Sequence, residues 1–252
     1  MRNLIKYEVK GYLKETLGLI LVTLFFQVLL LVKGMDFFDE RIIVLVFVNL
    51  VAFGSGIVTF IWNIKLFSKD LYEDTSYLIY TVPESMNTIL ASKFISSLVQ
   101  TFIVVIINLA FVFNYLNITF GVFKYIKEMP GNFILTFVLN GVITYLSTLA
   151  MIYFSITLSK ISIRKKSAGK FGAWVIFLII SSAFKYIQFL ILDNTPGFQM
   201  EHMINNAMYS GRNFTISYGF VNDNIIDGIF NLIIFVILFF TTSYLLRDKL
   251  DI

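Results

Sequence analysis

The sequence predicts an all-α polytopic membrane protein with six transmembrane helices. Of its 252 residues, 58% are hydrophobic, and the mean hydropathy is +0.81. Soluble domains are roughly 45–50% apolar, so this chain has more apolar surface than a water-soluble fold can bury. The apolar residues form continuous runs of about 20 residues, the length that crosses a bilayer as a helix. The runs do not alternate with polar residues as in a β-barrel, and helices are the remaining way to pair the backbone in hydrocarbon.

The first element is an N-terminal segment over residues 1–16 that precedes the first apolar run. Lys6, Lys10 and Lys14 recur every four residues on one face of a helix, and apolar residues share another face. This pattern is typical of an amphipathic helix that lies in the membrane interface and is attracted to anionic lipid. The alternative is that the segment simply extends the first span.

Six candidate spans follow, and together they predict one transmembrane domain over residues 1–252. The first span is short, and Lys33 can lengthen it by reaching toward the interface. The predicted spans cover residues 17–33, 42–62, 94–116, 133–158, 171–192 and 226–246.

The orientation follows from the positive charges. Of the 20 Lys and Arg residues, 14 lie in the two termini and in the loops 63–93 and 159–170, and only 5 lie in the other loops. Lys185 falls within a span. Positively charged loops stay in the cytoplasm, so we expect a protein of the cell (cytoplasmic) membrane with both termini inside.

The loop over residues 63–93 is long and charged for a connection between two spans. Apolar residues at helical spacing predict a helix over residues 64–80, and Thr81 with Glu84 fits a capping box for a second helix that starts near residue 82. Pro83 would then lie in the first turn. The apolar positions are Ile64, Phe67, Leu71 and Leu78. A structured, charged loop of this kind suits docking of another protein, whereas the alternative is a plain solvated connection.

The same loop resembles the membrane subunit of ABC-2 type transporters. The resemblance covers the whole chain in layout, and its most specific part is residues 66–98. It rests on an acidic pair, then Leu, Pro, Ser and a Lys before the third span. These residues are Glu73, Asp74, Leu78, Pro83, Ser85 and Lys93. It implies that residues 1–16 form an elbow helix and that the cytoplasmic loop contains a coupling helix against an ATPase subunit. The residues expected to dock that subunit are Lys69, Asp70, Glu73, Asp74, Tyr77, Leu78, Pro83, Ser85 and Lys93.

Within that family, the chain is similar to small permeases of two-component exporters in Gram-positive bacteria. The resemblance implies export of an amphipathic peptide or a lipophilic, drug-like molecule. The sequence contains no P-loop, so ATP and Mg are expected in a separate ATPase chain and no cofactor in this one. Further expected partners are membrane lipid and a second permease, as a homodimer or heterodimer. Ala52 and Gly56 form a pair of small residues that predicts close helix approach.

Polar residues within the predicted spans are the remaining candidates for function. Amides in membranes usually bond across helices, whereas a lysine is costly there. Lys185 either reaches the outer interface or faces the substrate path, where it would meet an anionic group. Asn108 and Asn140 are the other candidate path residues. The loop over residues 193–225 is predicted outside the cell, where it forms either a gate or a cap.

Other function classes are disfavoured by what the spans lack. No catalytic residue and no metal site are predicted, since the chain has no cysteine and its one histidine, His202, falls in the outer loop. The net charge of +4 is explained by membrane topology, so no nucleic acid partner is expected. An ATPase-independent channel or ion-coupled carrier is the alternative function. No acidic residue lies clearly inside a predicted span, which counts against coupling to ions.

Overall fold

The computed structural model contains six long helices in the part of the chain that it describes. That part comprises residues 2–37, 41–72, 84–120, 123, 131–161, 169–193 and 218–248. The helices are α1 (Arg2–Phe37), α2 (Arg41–Tyr72), α3 (Met86–Phe120), α4 (Gly131–Ile161), α5 (Gly169–Asp193) and α6 (Tyr218–Asp248). Each is long and apolar enough to cross a membrane, which confirms the all-α, six-span prediction. The chain is a multi-pass membrane protein.

Two compact units make up the chain, Met1–Met129 and Pro130–Ile252. In the first unit, α2 packs most extensively on α3, and α1 contacts both. In the second, α4 packs along α6 and α5, while α5 and α6 touch each other little. The prediction of a single transmembrane domain concerns how these units combine and stays a prediction.

The units bury many polar side chains beside apolar ones and expose large apolar side chains, unlike a soluble fold. Gln27, Asn63 and Thr157 are at most 1% exposed, whereas Phe53 is 70% exposed and Leu21 is 67% exposed. Apolar exteriors suit contact with lipid tails. Because polar groups in hydrocarbon need partners, their placement inside each unit lets them bond across helices.

α1 is one helix of 36 residues with no break between the predicted surface segment and the first span. Its length of about 54 Å far exceeds the roughly 30 Å of hydrocarbon. Lys6, Lys10 and Lys14 are exposed along its first turns. The separate elbow helix over residues 1–16 is therefore not confirmed. The continuous helix agrees with the alternative that the segment extends the first span, since no proline interrupts it.

α2 also continues beyond its predicted end at residue 62, as far as Tyr72. The helix predicted over residues 64–80 is, in its described part, the last turns of α2. Phe67 and Leu71 are 2% and 3% exposed, so the apolar face predicted for a partner is covered within the first unit. That packing explains why α2 extends past the apolar run.

α3 begins at Met86 rather than near residue 82, which corrects the predicted capping box at Thr81 and Glu84. The backbone N–H of Thr88 donates to the Oγ of Ser85 over 3.2 Å and to its carbonyl oxygen over 2.9 Å. Ser85 is thus the N-cap, and its hydroxyl satisfies a free donor of the first turn. Residue 83 precedes the helix, so Pro83 is not in the first turn.

Candidate functional site

A cluster of charged residues joins the three helices of the first unit. Lys93 of α3 lies between Glu8 of α1 and Asp70 of α2. Its Nζ is 3.3 Å from the Glu8 Oε1 and forms a close ion pair with the Asp70 carboxylate. Ser92 and Ser96 donate to the Glu8 carboxylate over 3.4 Å and 2.9 Å. The cluster lies where α1 and α3 begin and α2 ends.

Lys93 is only 5% exposed, so its charge depends on these partners. A buried ammonium is tolerated when carboxylates pair with it and hydrogen bonds satisfy the rest. Ser92 and Ser96 supply the hydrogen bonds that the Glu8 carboxylate needs. The arrangement ties α1, α2 and α3 together at one end of the unit.

The residues predicted to dock an ATPase have different positions in the structure. Asp70 and Lys93 belong to this cluster, where Lys93 is buried, and Ser85 caps α3. Lys69 is exposed at the end of α2. The others, Glu73, Asp74, Tyr77, Leu78 and Pro83, lie outside the described residues. Asp70 and Lys93 therefore stand on either side of the undescribed segment 73–83.

A buried amide network lies farther along the same three helices. The Gln27 Nε2 donates to the Asn108 Oδ1 over 2.7 Å, and the Asn108 Nδ2 donates to the Ser55 Oγ over 2.8 Å. Asn108, a predicted path residue, is thus engaged with α1 and α2. The Gln27 Oε1 is buried and has no hydrogen-bond partner among the described residues.

A second cluster, centred on Asp227, joins the three helices of the second unit. Asp227 of α6 accepts hydrogen bonds from the side-chain amides of Asn140 of α4 and Gln188 of α5. The Asn140 Nδ2 is 3.1 Å from the Asp227 Oδ2, and the Asn231 Nδ2 is 3.2 Å from the Oδ1. The Lys185 Nζ donates to the Gln188 Oε1 over 2.9 Å. We call Asp227, Asn140, Gln188, Asn231 and Lys185 the Asp227 cluster.

The predicted path residues Asn140 and Lys185 both belong to the Asp227 cluster, and Asp227 itself was missed. The last span is predicted to start at residue 226, which leaves Asp227 at its margin. α6 starts at Tyr218, so Asp227 lies about 14 Å along the helix. The expectation that no acidic residue lies clearly inside a span stays a prediction, because Asp227 is only the third residue of the apolar stretch that begins at Ile225.

Helical spacing is the signal that could have revealed the cluster. Asp227 and Asn231 are four residues apart, which places them on one face of α6. Asn140, Thr144 and Ser147 form a matching stripe on α4, and the Ser147 hydroxyl donates to the Asn231 Oδ1 over 3.2 Å. Two facing polar stripes in apolar helices indicate an interhelical network.

Three further predictions concern metal, the outer loop and the small residues. No group of three or more His, Cys, Asp or Glu side chains able to hold a metal occurs in the part of the chain that the structure describes. His202 and residues 194–217 of the outer loop lie outside that part. A Cβ built on Gly54 or Gly56 would meet nothing within 4 Å. No described helix of this chain therefore packs closely on the two glycines, and their contact with a second subunit stays a prediction.

No protein-family model, curated protein or solved structure matches this chain. The resemblance to ABC-2 transporters therefore rests on the residues quoted above, and function must be inferred from the spans and the two clusters.

Proposed function

We propose that the chain is the permease subunit of an ABC-2 type exporter. It would move an amphipathic peptide or a lipophilic, drug-like molecule out across the cytoplasmic membrane, with both of its termini inside. A separate ATPase subunit would supply the energy. The observation that supports this proposal best is the ion pair between Asp70 and Lys93, because it joins the two helices that flank segment 73–83.

The ion pair makes this segment suitable for transmitting force. Asp70 lies three residues before the segment, and Lys93 lies in the second turn of α3, so both ends of the segment lead into helices clamped to each other. Glu8 adds α1 to the same clamp. A displacement of residues 73–83 by a docked protein would move the three helices as a rigid body.

The composition of the segment supports docking on the cytoplasmic side. Glu73 and Asp74 follow the exposed Lys69 by four and five residues, and Leu78 belongs to the short apolar and aromatic run YLIY. The chain has no P-loop of its own, which agrees with an ATPase made from another gene. Two permeases, identical or similar, would complete the transporter.

Charge reversal within the segment tests the docking. We expect the double substitution Glu73→Lys and Asp74→Lys to abolish co-purification of the separate P-loop ATPase that this proposal requires. The matched control reverses two carboxylates of the C-terminal end, Asp248→Lys and Asp251→Lys, and should retain the ATPase. Unchanged association in the first variant would contradict docking through residues 73–83.

An ion-coupled carrier is the second candidate, because Asp227 is a carboxylate in a helix able to span the membrane, near one end of its apolar stretch. Carriers use acidic residues within their spans to bind the coupling ion. Reconstitution distinguishes the two functions. The purified chain alone would accumulate cargo under a sodium or proton gradient if it is a carrier, whereas an exporter subunit requires the ATPase and ATP.

A further inference from the structure

We propose that Asp227 is the binding site for a cationic group, an ammonium attached to an apolar body, in the molecule that this protein transports. This inference rests on the proposed transport function in one respect, which is that the bound molecule is taken to be the transported one. Binding itself requires no ATPase, because every residue of the Asp227 cluster belongs to the second unit.

The first argument is that no positively charged side chain among the described residues contacts the Asp227 carboxylate directly. Its side-chain donors are three neutral amides, from Asn140, Gln188 and Asn231. Within the described residues, the ammonium of Lys185 reaches it only through Gln188. A carboxylate in an apolar helix without a contacting cation is costly, so it favours a cation that can approach it.

The second argument is that the site is already assembled. Asn231 and Gln188 are 3% and 9% exposed, so packing holds two of the donors in place. Gly228 follows Asp227, and a Cβ there would lie 3.4 Å from the Asn140 Oδ1. The missing side chain lets α4 and α6 approach closely beside the carboxylate. Asp227 itself is only partly buried and can be reached.

The third argument concerns the shape and polarity of the ligand. Phe189 of α5 lies four residues after Lys185, on the same face of the helix, and is 56% exposed. An ammonium would contact the carboxylate while an apolar body lies along this side chain. This combination selects an amphipathic cation over a fully hydrated ion.

Lys185 carries the positive charge of the Asp227 cluster. Its side chain is exposed, and its Nζ contacts the Gln188 Oε1 rather than the carboxylate. A ligand ammonium in direct contact with Asp227 would be repelled by the ammonium of Lys185. It would also take over the electrostatic stabilisation that Lys185 gives the carboxylate. Removal of the Lys185 charge should therefore strengthen binding.

A sodium ion fits the site less well. The amides of Asn140, Gln188 and Asn231 direct N–H groups at Asp227, so their oxygens do not converge with the carboxylate to surround a metal ion.

Binding of rhodamine 6G to the purified full-length chain in detergent micelles tests the proposal. Rhodamine 6G is a lipophilic monocation with N–H donors, and fluorescence anisotropy reports its binding. We expect Asp227→Asn to weaken binding about tenfold or more and Lys185→Gln to tighten it about threefold. Glu15→Gln, the matched loss of an exposed carboxylate on α1, should leave binding unchanged. The neutral dye Nile red controls for partition into micelles.

Three outcomes would overturn the proposal. The first is equal binding by wild type and Asp227→Asn. The second concerns the case in which Asp227→Asn aggregates in size-exclusion chromatography. The variant Asp227→Glu, which keeps the charge, is then measured instead. Binding by Asp227→Glu that is more than about threefold weaker than wild type would count against the site. The third is displacement of the dye by NaCl but not by KCl, which would assign Asp227 to a coupling ion. None of these measurements involves the ATPase, so their failure is distinguishable from failure of the docking test.

Discussion

Single polar side chains hold the spans of this protein together, and Asn108 is the clearest example in the first unit. Its amide bonds Gln27 of α1 and Ser55 of α2, and it also donates to the Val104 carbonyl oxygen of its own helix over 2.9 Å. Asn49 offers a contrast. It is exposed, and its side chain donates to the Leu45 carbonyl oxygen of the same helix.

We expect Asn108→Ala to lower the free energy of unfolding by about 1–2 kcal/mol, since it removes two bonds between helices. The control Asn49→Ala should lower it by less than about 0.5 kcal/mol. Unfolding in detergent, followed by circular dichroism with increasing SDS, measures both. Equal losses in the two variants would contradict a role for the buried network.

Ser85 is a second residue with a specific local task, because it caps α3 beside the proposed docking segment. Ser85→Ala should cost about 1 kcal/mol of helix stability at the start of α3. Hydrogen exchange of the amides of residues 86–90 should then become faster. Ser68→Ala, which removes a hydroxyl bonded to its own helix, serves as the control and should not change exchange there.

At the scale of elements, the first unit depends on charges where three helices meet. Lys93 is the shared partner of Glu8 and Asp70, and it is almost fully buried. Loss of the lysine leaves two carboxylates without their cation at a helix contact. The second unit instead places the neutral amides of Asn140, Gln188 and Asn231 around Asp227.

Replacement of Lys93 by Met should destabilise the protein by about 3–5 kcal/mol, because it leaves uncompensated charges. Lys69→Met, at the exposed end of α2, should cost well under about 1 kcal/mol. SDS-induced unfolding of the two variants compares them directly. The triple variant Glu8→Gln, Asp70→Asn, Lys93→Met should recover part of the loss, and a triple variant less stable than Lys93→Met would refute this account.

At the scale of the whole molecule, six spans and an excess of positive charge on one side define the expected topology. That topology decides whether an ATPase can reach segment 73–83 at all. The chain contains no cysteine, so single cysteines can report sidedness without any background.

We expect a membrane-impermeant maleimide to label Ser210→Cys in intact cells and to label Thr75→Cys only after permeabilisation. Residue 210 lies in the predicted outer loop and residue 75 in the predicted cytoplasmic segment. Labelling of Thr75→Cys in intact cells would place the segment outside and exclude docking to a cytoplasmic ATPase.

The six spans could be predicted from the sequence because the thickness of hydrocarbon sets the length of the apolar runs. The fourth and fifth spans, predicted at 133–158 and 171–192, agree with α4 and α5 within three residues. The ends of α1, α2 and α6 could not be predicted in this way. These helices extend beyond the apolar runs, and in α2 side chains such as Phe67 and Leu71 are buried in those extra turns.

The sequence by itself determined that this protein spans a membrane six times, because composition and run length are properties of single segments. Only the tertiary structure decided which polar residues act together. Lys93, an expected docking residue, binds Glu8 and Asp70, and Lys185 reaches Asp227 through Gln188. The physical reason is that these contacts join residues up to 85 positions apart, so they depend on which helix faces pack against each other.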